Sequence, residues 1–196
     1  MGAVKVIKIQ TNFSETLPVG SPARAKLRAQ INPRLTHGGA PSLRKRKTER
    51  PFSPGAPVHL VLSSKRARGT WSLSHRKNRA RVNAMIYVYA KRFKVRVYRA
   101  NNVGHQIQLL VKATEKKNLA DFLRVLAGRI AVVVTGAQKH VKRIGRFWDY
   151  LYWSKLIRFG AEFFQVRKFL EAAQASVTTT SENDLTKEWE LHQPGK

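Results

Sequence analysis

The sequence predicts an α+β fold, an antiparallel sheet with helices on one face, and three observations carry that prediction. Apolar residues alternate or run over short stretches and recur at helical spacing over longer ones between positions 57 and 173. The resulting order is strand, helix, strand, strand, helix, strand, with one further helix appended. That is the split β-α-β, ferredoxin-like plan. Seven of the eight prolines lie at or before Pro57, so this part of the chain has few breakers.

Each element has its own signal. Residues 58–63 hold the Val and Leu of a strand, followed by a basic turn with Lys65, Arg66, Arg68 and Gly69 ahead of Trp71. Over 76–93 the period becomes helical: Val82, Met85, Ile86, Tyr89 and Phe93 form a stripe, and Arg76, Lys77, Arg79, Arg81, Lys91 and Arg92 occupy the other positions. Residues 94–100 alternate again, with Val95, Val97 and Arg99 on one side and Arg96 and Tyr98 on the other. Through the turn 101–104 they lead into a strand at 106–113, and the two are expected to pair as a hairpin. Asn118 offers an N-cap and Asp121 suits the first turn of a second helix, whose stripe of Leu119, Phe122, Leu123, Leu126, Ile130 and Val133 ends near Gly136. A Trp- and Tyr-rich strand is predicted at 147–157, then a third helix at 161–173 with Phe163, Val166 and Leu170 inward.

Outside this region the material differs. Residues 1–50 read as a basic, Pro-rich, largely disordered arm, because 21–50 carries too few large apolar side chains to offset the cost of ordering. Within it 4–9 alternates like a short strand, and Arg44, Lys45, Arg46, Lys47 and Arg50 read as a phosphate-contacting patch or a solvated linker. Residues 51–173 form the predicted domain. From 174 to 196 a Ser/Thr run and four of the eleven acids suggest a flexible acidic tail.

Charge narrows the function. Lys and Arg number 38 against 11 Asp and Glu, a net charge of +27, which calls for a polyanionic partner and puts nucleic acid ahead of an anionic membrane surface. Between Arg50 and Thr114 there is no Asp or Glu at all, so a continuous positive field is expected along one side of the sheet and its first helix. No apolar run approaches the ~18 residues of a spanning helix, and no signal-type apolar core opens the chain. It reads as a soluble, intracellular, DNA-associated protein without membrane contact. The absence of Cys removes thiolate nucleophiles, disulfides and Cys-based zinc sites. Oligomeric state has no signature in the sequence.

The stretch from Asn101 to Ala113, N-N-V-G-H-Q-I-Q-L-L-V-K-A, resembles the metal-binding strand of the HUH-type single-tyrosine transposases, in particular the REP-associated tyrosine transposases. Further echoes are V-H-L at Val58, L-R-V-L-A-G-R-I-A in the second helix, V-T-G-A at Val134 and R-F-W-D at Arg146. The resemblance covers roughly residues 50–173 and implies the same ferredoxin-like fold. In that family two histidines hold a divalent metal that polarises a DNA phosphate while a tyrosine hydroxyl attacks it. The matching positions are Gln106 and Gln108 for the ligands and, on the following helix, the neighbourhood of Ile130 for the tyrosine. All three family residues are therefore replaced. A neutral amide oxygen is a weaker ligand than imidazole for transition metals, although two carboxamides on one strand face can still hydrogen-bond a phosphate or a base.

The resemblance thus implies a catalytically degenerate transposase-like protein that binds hairpin or single-stranded DNA. Lys65, Arg66, Arg68, Arg76, Lys77, Arg79, Arg81, Lys112 and Arg129 are its expected nucleic-acid contacts. No metal or other cofactor is expected; His59 and His105 are the remaining candidate ligands, and no third presents itself. Tyr150 and Tyr152, within an aromatic cluster with Phe147, Trp148 and Trp153, read as sheet-face packing before base stacking. Two alternatives stand beside this reading. One is an active single-strand endonuclease using Mg or Mn with displaced residues such as His105 and Tyr150 or Tyr152; the other is a structural RNA-binding protein.

Overall fold

A computed structural model of the chain describes residues 35–39, 49–137 and 145–173. In chain order the elements are β1 (Thr36–His37), β2 (Pro57–Ser63), α1 (Arg76–Arg92), β3 (Arg96–Asn102), β4 (Gln106–Lys112), α2 (Lys116–Thr135), β5 (Trp153–Leu156) and a third helix, α3, over 161–173. The strands form one sheet in the order β1-β5-β2-β4-β3, with every pairing antiparallel. Apart from β1 this is the α+β arrangement the apolar periods predict. The strand expected at 4–9 and the tail from 174 lie outside the described residues.

Strand alternation decides what each face is made of. On the front face Val58, Leu60 and Leu62 of β2 and Ile107, Leu109 and Val111 of β4 are buried against Val82, Ile86 and Ala90 of α1 and Leu119, Phe122, Leu123, Leu126 and Ile130 of α2. The back face carries His59 and Val61 of β2, Gln106, Gln108 and Leu110 of β4, and Trp153 and Lys155 of β5. Here the appended helix docks: Leu110 is buried with Ile157, Phe163, Val166 and Leu170. Two helices of the split plan thus share the front, as right-handed crossovers require, and α3 covers part of the back.

Four local expectations are revised. Residues 36–37, read as part of the disordered arm, form the edge strand β1, paired through Thr36 with Lys155 and His37 with Ser154. Arg50, read as part of a phosphate-contacting patch or a solvated linker, fastens that edge: it donates to the carbonyls of His37 and Tyr152 and to Ser154 Oγ, and its guanidinium lies 3.8 Å over the Tyr152 ring. In β3 a bulge between Val97 and Arg99 shifts the alternation, so Val97 stays with the core and Arg99 stands opposite Leu110 on the back. Asn118 is not the cap of α2; the helix begins at Lys116 after Glu115 and ends, as expected, at Gly136 in a left-handed C-cap with φ 61°.

The segment 147–157 also differs, since only its last part is strand. Its start is a clasp built from the R-F-W-D residues. Ser64 Oγ donates to the Phe147 carbonyl, Trp148 Nε1 donates to the Ala127 carbonyl at 2.9 Å, and both carboxylate oxygens of Asp149 accept from the Lys65 amide at 2.9 and 3.0 Å. Side chains that satisfy backbone groups this way compete with a ladder, and the chain stays irregular until Trp153.

Candidate nucleic-acid interface

One end of the sheet gathers most of the cations expected to meet a polyanion. Strand β2 leaves the sheet there, the Lys65 turn follows, α1 begins there, and the β3–β4 turn returns to the same place. The Ser64 amide donates to the His105 carbonyl at 2.9 Å and the Leu73 amide to the Gly104 carbonyl at 2.8 Å. The N-N-V-G signature builds this junction. Asn102 Nδ2 donates to the Leu73 carbonyl at 2.8 Å, and Asn102 Oδ1 accepts from the Gly104 amide at 3.2 Å. Gly104 has φ +86°, a conformation that strains other residues, and a Cβ on it would stand 2.9 Å from Ser74 Oγ and oblige that hydroxyl to move.

Lys65, Arg66, Arg68, Arg76, Lys77, Arg79 and Arg81 are all exposed at or near this end. Of the six acids in the described region, Glu49 pairs with Lys116, Asp121 with Arg124, Glu162 with Lys155 and Glu171 with Arg167, Glu115 precedes α2, and Asp149, at this end, accepts from the Lys65 amide. Among the described residues no carboxylate lies within salt-bridge distance of Arg76, Lys77, Arg79 or Arg81. The first turn of α1 holds no acid, and its N-cap is His75, whose Nδ1 accepts from the Lys77 amide. Arg76, Lys77 and Arg79 therefore sit at the positive end of the helix dipole, where folding alone favours carboxylates. Such a local conflict marks positions set by something other than stability.

The other predicted contacts are not part of this cluster. Lys112 closes β4 at the opposite end of the sheet, with Nζ 5.6 Å from the Phe159 ring centre. Arg129 is exposed on α2 and lines a shallow groove with Arg92 and Arg124 over Val125 and Val132.

Gln106 and Gln108 share the back face of β4. Gln108 stands opposite Val61 on one side and Asn101 on the other. His59, opposite Leu110, lies diagonally from Gln108 across the β2–β4 pair. These four polar side chains are buried. Among the described residues, neither ring nitrogen of His59, neither amide atom of Asn101 and not Gln106 Oε1 has a hydrogen-bond partner. The His59 ring is held edge-on to Trp153 at 5.4 Å, and burial, helped by the Lys155 charge, pushes its pKa down to about 3.

Ile130 does not join them. It is buried on the front face among the helices, with the sheet between it and the Gln pair. A tyrosine at 130 could not reach a metal at 106 and 108; the helix on their side is α3, whose aromatic residues are phenylalanines. His105 is exposed in the turn, and His59 lies four residues before the Ser63 that pairs with Gln106, about 13 Å along the strand. Those two histidines form no pair, and among the described residues no three His, Cys, Asp or Glu side chains gather to hold a metal. Tyr152 is half-buried under Arg50, and Tyr150 lies in the clasp loop.

Changing Gln106 and Gln108 together to His would bring two imidazoles to one face of β4. Micromolar or tighter Zn²⁺ binding is expected by calorimetry for this double variant. No heat in the double variant would place these side chains elsewhere.

No family model matches the chain, and no curated protein does. Among solved structures, one similar chain is a presumed transposase from Deinococcus radiodurans R1; it is 18% identical, the match covers 66% of this chain and 98% of that one, and the TM-score is 0.40. None of the described helices is long and apolar enough to cross a membrane.

Proposed function

We propose that this chain is a transposase-like nucleic-acid-binding protein that grips DNA, hairpin or single-stranded, at the basic end of its sheet and does not cut it. The observation that carries the reading is the acid-free first turn of α1, where Arg76, Lys77 and Arg79 oppose the helix dipole without a carboxylate in ion-pair range among the described residues. A phosphate there would be attracted by the dipole, by backbone amides and by side-chain charge at once. The non-cleaving half rests on Gln106 and Gln108 in place of the histidines that the motif resemblance leads one to expect, and on the lack of a tyrosine in the helix that packs on their side of the sheet.

The test is a titration of labelled hairpin DNA with a single-stranded flank at increasing salt. Log K is expected to fall linearly with log salt, by about 0.7 per single-strand phosphate neutralised. Removing residues 1–34, which hold many further cations but spare β1 and Arg50, is expected to flatten the slope and leave the preference for hairpin over linear strand intact. Salt-independent affinity would exclude this interface. A covalent protein-DNA adduct formed with Mn²⁺ or Mg²⁺ would overturn the non-cleaving half and restore the endonuclease alternative.

A further inference from the structure

At the other end of the sheet two phenylalanines face solvent. Phe159, in the turn before α3, is 56% exposed, and Phe164, in its first turns, is 65% exposed, while Phe163 between them is buried. We propose that Phe159 and Phe164 form a stacking platform for unpaired bases of a single-stranded nucleic acid. This rests on the nucleic-acid reading above and adds a second contact region to it.

The rings are braced from beneath. Phe163 packs against Phe159 at 5.5 Å and against Phe164 at 5.8 Å, and Tyr98 of β3 meets Phe163 edge-on at 5.0 Å. The two outer rings are therefore held in place with a face or edge left to water, an arrangement that orders little on binding. Cations surround them. Lys112 Nζ is 5.6 Å from the Phe159 ring centre, Arg96 stacks 5.2 Å from the centre of Tyr98, Arg158 precedes Phe159, and Lys168 stands one helical turn beyond Phe164. The nearby acid is engaged: Glu162 pairs with Lys155 at 2.8 Å and accepts from the Arg158 amide at 3.0 Å. Although burial would raise its pKa, the Lys155 and Arg158 contacts hold it low.

Alternating rings and cations are what a single strand requires, since every base offers a face for stacking and every linkage a phosphate. An apolar protein partner would be met instead by a wider uncharged surround. The platform lies about 20 Å from the basic end, the length of β4. A strand flanking a duplex held at α1 could span that distance.

Phe159→Ala, Phe164→Ala and the double variant would be compared with the unaltered chain on oligothymidylate, oligouridylate and a DNA duplex. Each alanine is expected to weaken single-strand binding about tenfold, with duplex binding and salt slope unchanged, and Phe164→Trp is expected to restore affinity. The stronger of the two oligomers identifies the sugar. Single-strand affinity equal to the unaltered chain in the double variant overturns the platform while leaving the basic-end interface standing. Failure of the unaltered chain to bind any of the three overturns both. A dimer by sedimentation that Phe164→Ala dissociates, with strand binding intact, would assign the rings to contact between copies and overturn the platform as well.

Discussion

Glutamate at positions 76, 77 and 79 in place of Arg, Lys and Arg is expected to weaken hairpin binding about a hundredfold at low salt and, in the same protein, to raise the melting temperature by a few degrees. The two signs come from one cause. Three cations at the start of α1 repel the helix dipole and one another, so reversing them relieves a conflict built into the free protein and adds favourable interactions with the exposed amides. The same reversal places negative charge where phosphate is proposed to sit. Gel-shift titration and a thermal melt on one preparation check both. Lost affinity with a lowered melting temperature would mean the helix had merely been damaged; unchanged affinity would remove α1 from the interface.

Acidification provides the second large effect. His59 titrates near 6.5 when unfolded but is pushed down to about 3 in the fold by burial first and Lys155 second. The unfolded chain therefore binds the extra proton across that window, so stability is full above about pH 6.5 and declines as pH falls toward 3. At pH 5 the loss assigned to this one side chain is about 2 kcal/mol relative to pH 8. Other groups titrate in the same range, Glu162 among them, so the informative quantity is a difference. His59→Leu removes two nitrogens that lack partners among the described residues and is expected to be neutral or stabilising at pH 8. Its advantage in unfolding free energy, read from urea titrations, should grow by about 2 kcal/mol at pH 5. Parallel pH profiles for the two proteins would show that His59 is solvated or bonded in the fold.

Elements of long, regular period were legible in the sequence. The stripe of Val82 and Ile86, the run from Leu119 to Ile130 and the inward set Phe163, Val166 and Leu170 fall where the apolar spacing puts them. What escaped is set by contacts that leave no period. The bulge at Val97 flips one residue, the clasp of Asp149 on Lys65 keeps an aromatic-rich run out of the sheet, and Arg50 spends its charge on carbonyls at the β1 edge. The candidate site divides along the same line. That Gln106 and Gln108 share a face follows from their spacing. Which helix lies over that face does not, because α2 follows directly in the chain yet packs on the front, and α3 arrives from 50 residues later. Ile130 was accordingly matched to a site across the sheet. Arg96, Lys112 and Phe159 were likewise visible only as separate residues until β3, β4 and the turn before α3 brought them together.

The bulge has a bearing on how this protein behaves in concentrated solution. With β1 and Arg50 closing one margin of the sheet, β3 is the strand at the other, seven residues with no further strand paired to their outer edge among the described residues. A flat strand of that length would template pairing with a neighbouring molecule. The irregularity at Val97–Arg99 breaks that edge in its middle, and the exposed Arg96 sets like charge against an identical strand approaching it. The Arg96 guanidinium that suits a polyanion thus also guards the sheet against growing from molecule to molecule.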